Sequence, residues 1–160
     1  MSPKKPQQPR PGSPIIRNRK ARFNYFIEDS LEAGISLLGS EVKSLRQGQA
    51  NLDEAFARIR DGQVILCNLH IGPYEQAGLV QHDPRRPRKL LVHRREVKRV
   101  LGRATDHGFT LIPLAIYWKK GKAKIELAIA RGKREFDKRE AIKKRDTDRD
   151  TRREISRRRS

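Results

Sequence analysis

Between Arg131 and Ser160 the chain carries fourteen Lys or Arg against seven Asp or Glu, and its only sizeable apolar side chains are Phe136, Ala141, Ile142 and Ile155. No core can be built there, because the apolar surface available falls far short of the entropy of ordering the backbone. Residues 1–14 are equally unsuited: they hold five of the nine prolines, with Lys and Gln between them, and no signal-peptide apolar stretch follows. Folding is therefore confined to the stretch between these arms, which is one ordinary domain with one small core.

The charge follows the same division. Of a formal net charge of +19, residues 1–22 supply seven basic groups and no acidic one, residues 131–160 a surplus of seven, and the domain between only five. Two basic arms on a milder domain suit a polyanion such as nucleic acid better than a small-molecule substrate. The longest apolar run, Leu111 to Trp118, is broken by Pro113 and is too short to cross a bilayer. The single cysteine, Cys67, excludes an intrachain disulfide and reads as a buried thiol in a reducing compartment, so a cytoplasmic protein is expected.

Within the domain, period-2 alternation dominates. Phe23, Tyr25 and Ile27, then Leu31, Ala33, Ile35 and Leu37, alternate with polar residues on either side of Asp29 and Ser30, which predicts two strands at hairpin spacing. Ser40 is placed to cap a short helix through Leu45 that stops at Gly48. Asp61 and Gly62 predict a tight hairpin between 54–60 and 63–71, and a second hairpin joins 109–119 to 122–130, with Ile125, Leu127 and Ile129 inward and Lys122, Lys124 and Glu126 outward. A loop containing Gly72, Pro73, Gly78, Pro84 and Pro87 leads into Leu90, Val97, Val100, Leu101 and Ala104 at helical spacing, with Arg94, Arg95, Lys98, Arg99 and Arg103 on the opposite face and Gly108 as the stop. Six short antiparallel strands leave no unpaired edge if they close. The expectation is a mainly β protein, a small six-stranded OB-like barrel with two or three short helices. A flexible arm would occupy 1–17, the barrel 18–131 and a basic tail, disordered by itself, 132–160.

Catalytic chemistry finds no footing. His70, His82, His93 and His107 lack metal-ligand spacing, no CxxC or HExxH occurs, and Gly132 with Lys133 lacks the remainder of a phosphate-binding loop. No enzyme, catalytic residue, metal or cofactor is expected.

Several blocks, in order from Asn18 to Arg145, resemble the bacterial SsrA-binding protein family, also called small protein B. They are Asn18 to Arg22 leading into Tyr25 to Glu28; Glu32 to Gly34; Gly39 with Glu41 to Arg46, Gly48, Ala50 and Asn51; Asp83, Pro84, Arg86 and Arg88 to Leu91; Tyr117 to Lys119; and Gly132, Lys133 and Asp137 to Arg139. The resemblance implies an OB-like barrel that grips the tRNA-like domain of transfer-messenger RNA and brings it to stalled ribosomes for trans-translation. The tail would fold as a helix in the vacant message channel beside the decoding centre. It implies RNA contacts from Asn18, Arg19, Lys20, Arg22, Glu32, Leu91, His93 and Lys124, and ribosomal contacts to small-subunit RNA from Gly132, Lys133, Asp137, Lys138 and Arg139; Ile155 is a further apolar tail contact. His93 stands where the family is expected to carry asparagine, and Thr147 where many members carry tryptophan, so a stacking group is missing there. Read without the resemblance, Leu91 fits the core equally well and Lys124 a merely exposed position. The implied partners are transfer-messenger RNA and the ribosome, with no membrane and a monomeric chain. The other reading that the basic extensions allow is a constitutive ribosomal protein.

Overall fold

The computed structural model describes residues 15–104 and 108–158, so most of the expected N-terminal arm, and His107, lie outside the described residues. Strand β1 (Ile16–Arg17) and a single turn of helix, α1 (Ala21–Asn24), precede the long strand β2 (Tyr25–Ile35), helix α2 (Gly39–Arg46) and strands β3 (Ala50–Asn51), β4 (Phe56–Arg60), β5 (Gln63–Cys67) and β6 (His70–Ile71). Then come β7 (Arg88–Leu91), α3 (Arg94–Ala104), β8 (Phe109–Lys119), β9 (Lys122–Gly132) and α4 (Glu135–Arg158). The sheet runs β8-β4-β5-β7-β2-β9 and closes by pairing β9 back onto β8, every pairing antiparallel. Six strands thus form a ring with no free edge, around a core that includes Leu31, Leu66, Leu90, Ile116, Ile125, Leu127 and Ile129.

The ring has six members, but not the six that alternation predicts. Residues 25–35 form one strand, and its register against β9 shifts between Ile27 and Asp29, leaving Glu28 as the extra residue of a bulge. That extra residue turns the following side chains to the other face. Tyr25 and Ile27 pack on a small outer cluster with Ala21, Ile112, Leu114, Ala128 and Ala130, while Leu31, Ala33 and Ile35 enter the barrel. The missing strand is β7, where Leu90 lies within the sheet rather than on the helix that follows. In that helix the expected division holds, with Val100 buried and Arg94, Arg95, Lys98, Arg99 and Arg103 exposed. Asp61 and Gly62, at φ 52 and 70, make the predicted hairpin turn, and Lys120 and Gly121, at φ 50 and 73, make the other. Cys67 is a buried free thiol.

A buried charge network holds the long loop to the barrel. The Glu41 carboxylate and the Arg88 side chain are both fully buried. Glu41 accepts from the Leu38 amide at 2.8 Å, from Arg86 Nε and Nη2 at 2.7 Å each, and from Arg88 Nε at 2.9 Å. Arg88 spends its remaining donors on the carbonyls of Leu69, Arg86 and Pro84. Every partner of the ion pair is thus satisfied, the condition for burying charge without a large penalty. Beside it, His82 bridges the Ile71 carbonyl at 3.1 Å and the Ser40 hydroxyl at 3.0 Å.

The C-terminal segment, whose composition predicts coil for the tail by itself, is helical where it leaves the barrel. It is a single helix, α4, exposed from Ile142 onward. The interactions within it are local and individually weak. Asp137 accepts from the Arg134 amide at 3.3 Å at the helix start, Glu135 pairs with Arg139 at 4.0 Å, and Thr147 and Thr151 hydroxyls donate to carbonyls one turn earlier. No helix among the described residues is long and apolar enough to cross a membrane.

Candidate nucleic-acid interface

Strand pairing brings residues far apart in sequence into one row on the outside of the barrel. Leu91 pairs with Gly34, Gly34 with Lys124, and Lys124 with Tyr117, so the row crosses β7, β2, β9 and β8. At about 4.8 Å between strands it is about 14 Å long, one or two nucleotides wide. Leu91 is 58% exposed, an unusual place for leucine. It can lie there because position 34 has no side chain: a Cβ on Gly34 would come within 3.3 Å of the Leu91 Cβ. His93, two residues beyond Leu91, is exposed, and its carbonyl receives the Glu96 and Val97 amides at 2.9 and 3.0 Å, which starts α3.

Glu32 sits one step along this face. The Tyr117 hydroxyl donates to its Oε2, and Lys119 Nζ lies 3.1 Å from Oε1 and 3.3 Å from Oε2. Partial burial alone would raise the carboxyl pKa, but the Tyr117 and Lys119 hydrogen bonds and the charges of Lys119 and Lys124 outweigh it and hold Glu32 below the ordinary carboxylate value. Burial and the bond to Glu32 push the Tyr117 hydroxyl the other way, so it stays a donor. An ionised carboxylate amid lysines cannot attract phosphate, but it accepts well from base amino groups and sugar hydroxyls.

Of the residues expected at an RNA surface, Glu32, Leu91 and Lys124 therefore share one face, and His93 is exposed beyond the end of β7. Asn18 does not belong to it. It is buried, its Nδ2 donates to the carbonyls of Leu52 at 3.2 Å and Pro113 at 3.1 Å, and its Oδ1 accepts from the Ala21 amide at 3.1 Å. With its backbone amide bonded to the Leu114 carbonyl at 2.8 Å, Asn18 satisfies the irregularity between Pro113 and Ala115 where β8 shifts register. Its role here is to pin the entering chain, including Ile16 and Arg17 of the expected arm, onto β8.

Arg19, Lys20 and Arg22 are exposed around α1, with Lys20 3.9 Å from Asp53. They neighbour the start of the tail instead of the Leu91 row. Gly132 pairs with Tyr25, the Lys133 amide donates to the Asn24 carbonyl at 2.8 Å, and its ammonium reaches the Arg22 carbonyl at 3.1 Å while lying over the Phe26 ring. Arg145 lies over Phe23. Asp137 and Lys138 are half-buried on the first turns of α4, Arg139 is exposed, and Ile155 is 50% exposed near its far end. Eight steps of β2, about 26 Å at about 3.3 Å per residue, separate Phe26 from Gly34. The molecule thus offers two basic ends, one around Glu32 and one around α1 and α4.

Sequence reasoning gave Tyr117 and Lys119 no role at the site, although the alternation along 117–119 puts them on one face. What alternation cannot supply is the pairing of β2 with β9 that carries Glu32 to them. Among the described residues no cluster of His, Cys, Asp and Glu is arranged to hold a metal.

Residues 15–157 match the family model described as SmpB protein. The chain is 53% identical over 138 residues to the SsrA-binding protein of Symbiobacterium thermophilum, covering 86% of this chain and 87% of that one. It is 54% identical over 144 residues to that of Acidothermus cellulolyticus, covering 90% and 91%. A solved structure described as "tmRNA-SmpB: a journey to the center of the bacterial ribosome" superposes with a TM-score of 0.66 at 48% identity, over 81% of this chain and 95% of that one. By sequence along nearly its whole described length and by fold, the chain belongs to the SmpB, or SsrA-binding protein, family.

Proposed function

We propose that the protein is the adaptor of transfer-messenger RNA: Leu91, Lys124 and Glu32 bind the tRNA-like domain, and the basic tail enters the message channel of a stalled ribosome. The observation that carries this reading is the Glu32 carboxylate, held below the ordinary carboxylate value and fixed by Tyr117 and Lys119 beside Lys124, on a face where Glu126 of β9 is the neighbouring acid. A surface built only for phosphate would exclude such a group, whereas a surface that selects a folded RNA uses it as an acceptor. Lys124 and the basic residues around it supply the salt-sensitive share of affinity, and Leu91 offers an apolar surface to an unstacked base. At the other end α4, with its 24 residues, is about 36 Å long at 1.5 Å per residue, a suitable length for a channel walled by RNA. Gly132, Lys133, Asp137, Lys138 and Arg139 lie where it leaves the barrel, and by family resemblance these approach the decoding centre. The division between a gripping end and an inserting end is that of an adaptor, not an enzyme, acting in the bacterial cytoplasm.

The test is the RNA that co-purifies with the protein from its native cell. The reading predicts that transfer-messenger RNA dominates and that the protein is sparse on translating ribosomes. Stoichiometric presence on all ribosomes, with no such RNA enriched, would identify a constitutive ribosomal protein.

A further inference from the structure

We infer that Tyr117 is a positioning residue that sets the RNA specificity of Glu32: its hydroxyl orients the carboxylate so that one acceptor position faces outward for a single N–H or O–H donor of the bound RNA. The inference rests on the reading of Glu32 as an RNA contact.

A carboxylate offers about four acceptor positions on its two oxygens. Tyr117 takes one on Oε2, and Lys119, 3.1 Å from Oε1 and 3.3 Å from Oε2, takes one on each. One position remains, on Oε1, the oxygen that Tyr117 does not touch. That vacancy fits one donor, an exocyclic amino group of an unpaired base or a ribose 2′-hydroxyl, rather than the two adjacent donors of a guanine edge.

Of the two groups holding Glu32, only Tyr117 is stiff. Its half-buried ring stands on β8 opposite Lys124 of β9, in the longest ladder of the barrel. Lys119 reaches Glu32 from the end of the same strand on a flexible four-carbon stem and attracts as a point charge from many directions. Without the hydroxyl the carboxylate would stay paired with lysine but rotate, and its free position would no longer point at a fixed place on the RNA. Attraction for phosphate would be unchanged, because no charge is altered.

The experiment compares the full-length protein, Tyr117→Phe, Glu32→Ala and the double variant for binding to the tRNA-like domain and to a linear RNA of equal length, over a range of salt. Tyr117→Phe should weaken binding to the tRNA-like domain by about five- to tenfold, the effect of losing one well-placed hydrogen bond, while linear RNA binding and both salt slopes stay as they are. In the Glu32→Ala background the same change should do nothing further. The phenylalanine ring keeps the packing, and the Glu32 carboxyl resonance in isotope-edited NMR should titrate at higher pH in Tyr117→Phe. That shift would not follow from a ring with only a packing role. If Tyr117→Phe discriminates like wild type while Glu32→Ala does not, the positioning role is wrong and the Glu32 contact stands. If Tyr117→Phe weakens binding equally with and without Glu32, the tyrosine acts on RNA directly and the inference fails. If Glu32→Ala itself discriminates normally, the reading beneath the inference falls with it.

Discussion

Replacing Glu41 with Gln tests the physics that holds the gripping face in place. Glu41 and Arg88 are fully buried, and this carboxylate is the anion facing both guanidinium groups. Glutamine retains one acceptor oxygen but brings an amide donor against Arg88, whose other partners, the carbonyls of Leu69, Arg86 and Pro84, carry no charge. Arg86, with a side chain 28% exposed, can turn to water; Arg88 cannot. Leaving a buried charge without its partner costs about 3–5 kcal/mol. A domain of this size loses about 4 °C of melting temperature per kcal/mol, so the midpoint should fall by about 12–20 °C. Circular dichroism melting reads this directly, and the double change of Glu41 and Arg88 to Met should recover more than half of the loss, since no buried charge then remains. The Arg86 bonds and the Leu38 amide bond hold the Glu41 carboxyl below its ordinary value of 4.5, against the opposing effect of burial. Its stabilisation is therefore complete above about pH 4.5 and lost as pH falls through the depressed folded value, so Glu41→Gln should also flatten the acid limb of stability. A midpoint within about 4 °C of wild type would refute the argument that this ion pair is what reconciles charge with burial.

Gly34→Ala should push Leu91 aside by only a few tenths of an ångström, because the new Cβ lies 3.3 Å from the Leu91 Cβ, with a melting shift under about 5 °C, whereas Leu91→Ala should weaken binding to the tRNA-like domain several-fold, and unchanged binding in Leu91→Ala would remove Leu91 from the interface. A peptide of residues 132–160 should be mostly coil by circular dichroism in water and helical in a helix-promoting solvent, since α4 is held by pairs worth only about 0.2–0.5 kcal/mol each; strong helicity in water would contradict this. Asp137→Ala removes the acceptor of the Arg134 amide and should fray the first turn of α4 by about 1 kcal/mol, visible as faster amide exchange over residues 135–138.

How far the sequence reveals this molecule depends on the range of the interaction concerned. The Asp61-Gly62 turn and the inward face of Ile125, Leu127 and Ile129 depend on neighbours a few residues away and are legible from spacing. The Glu28 bulge is not. Apolar residues recur at odd positions on both sides of Asp29, and only pairing with β9 shows that one extra residue sends Tyr25 and Ile27 to one face and Leu31 to the other. Arg88–Leu91 likewise becomes a strand only through partners on β2 and β5. At the site, family resemblance supplied Glu32, Leu91, His93 and Lys124, and the register places Glu32, Leu91 and Lys124 on a common face. It also offered Asn18, but a short polar side chain beside a basic run looks the same whether it meets RNA or, as here, the carbonyls of Leu52 and Pro113. The network of Glu41, Arg86 and Arg88 could not be foreseen from charge patterning, which places ionised groups at the surface by default.

Gripping and inserting belong to separate ends of the molecule, so truncation should divide them. A chain stopped after Arg131 keeps the ring of six strands, Glu32 and the Leu91 row, and loses Gly132, Lys133 and α4. In a reconstituted translation system with ribosomes stalled on message lacking a stop codon, that chain should bind the tRNA-like domain within about threefold of full length, about 0.6 kcal/mol, yet fail to support tagging of the stalled peptide. Full-length protein with Asp137, Lys138 and Arg139 changed to Ala should lose most of the tagging while binding normally. Tagging by the truncated chain at the full-length rate, or outright loss of its RNA affinity, would contradict the division of labour proposed for the barrel and the tail.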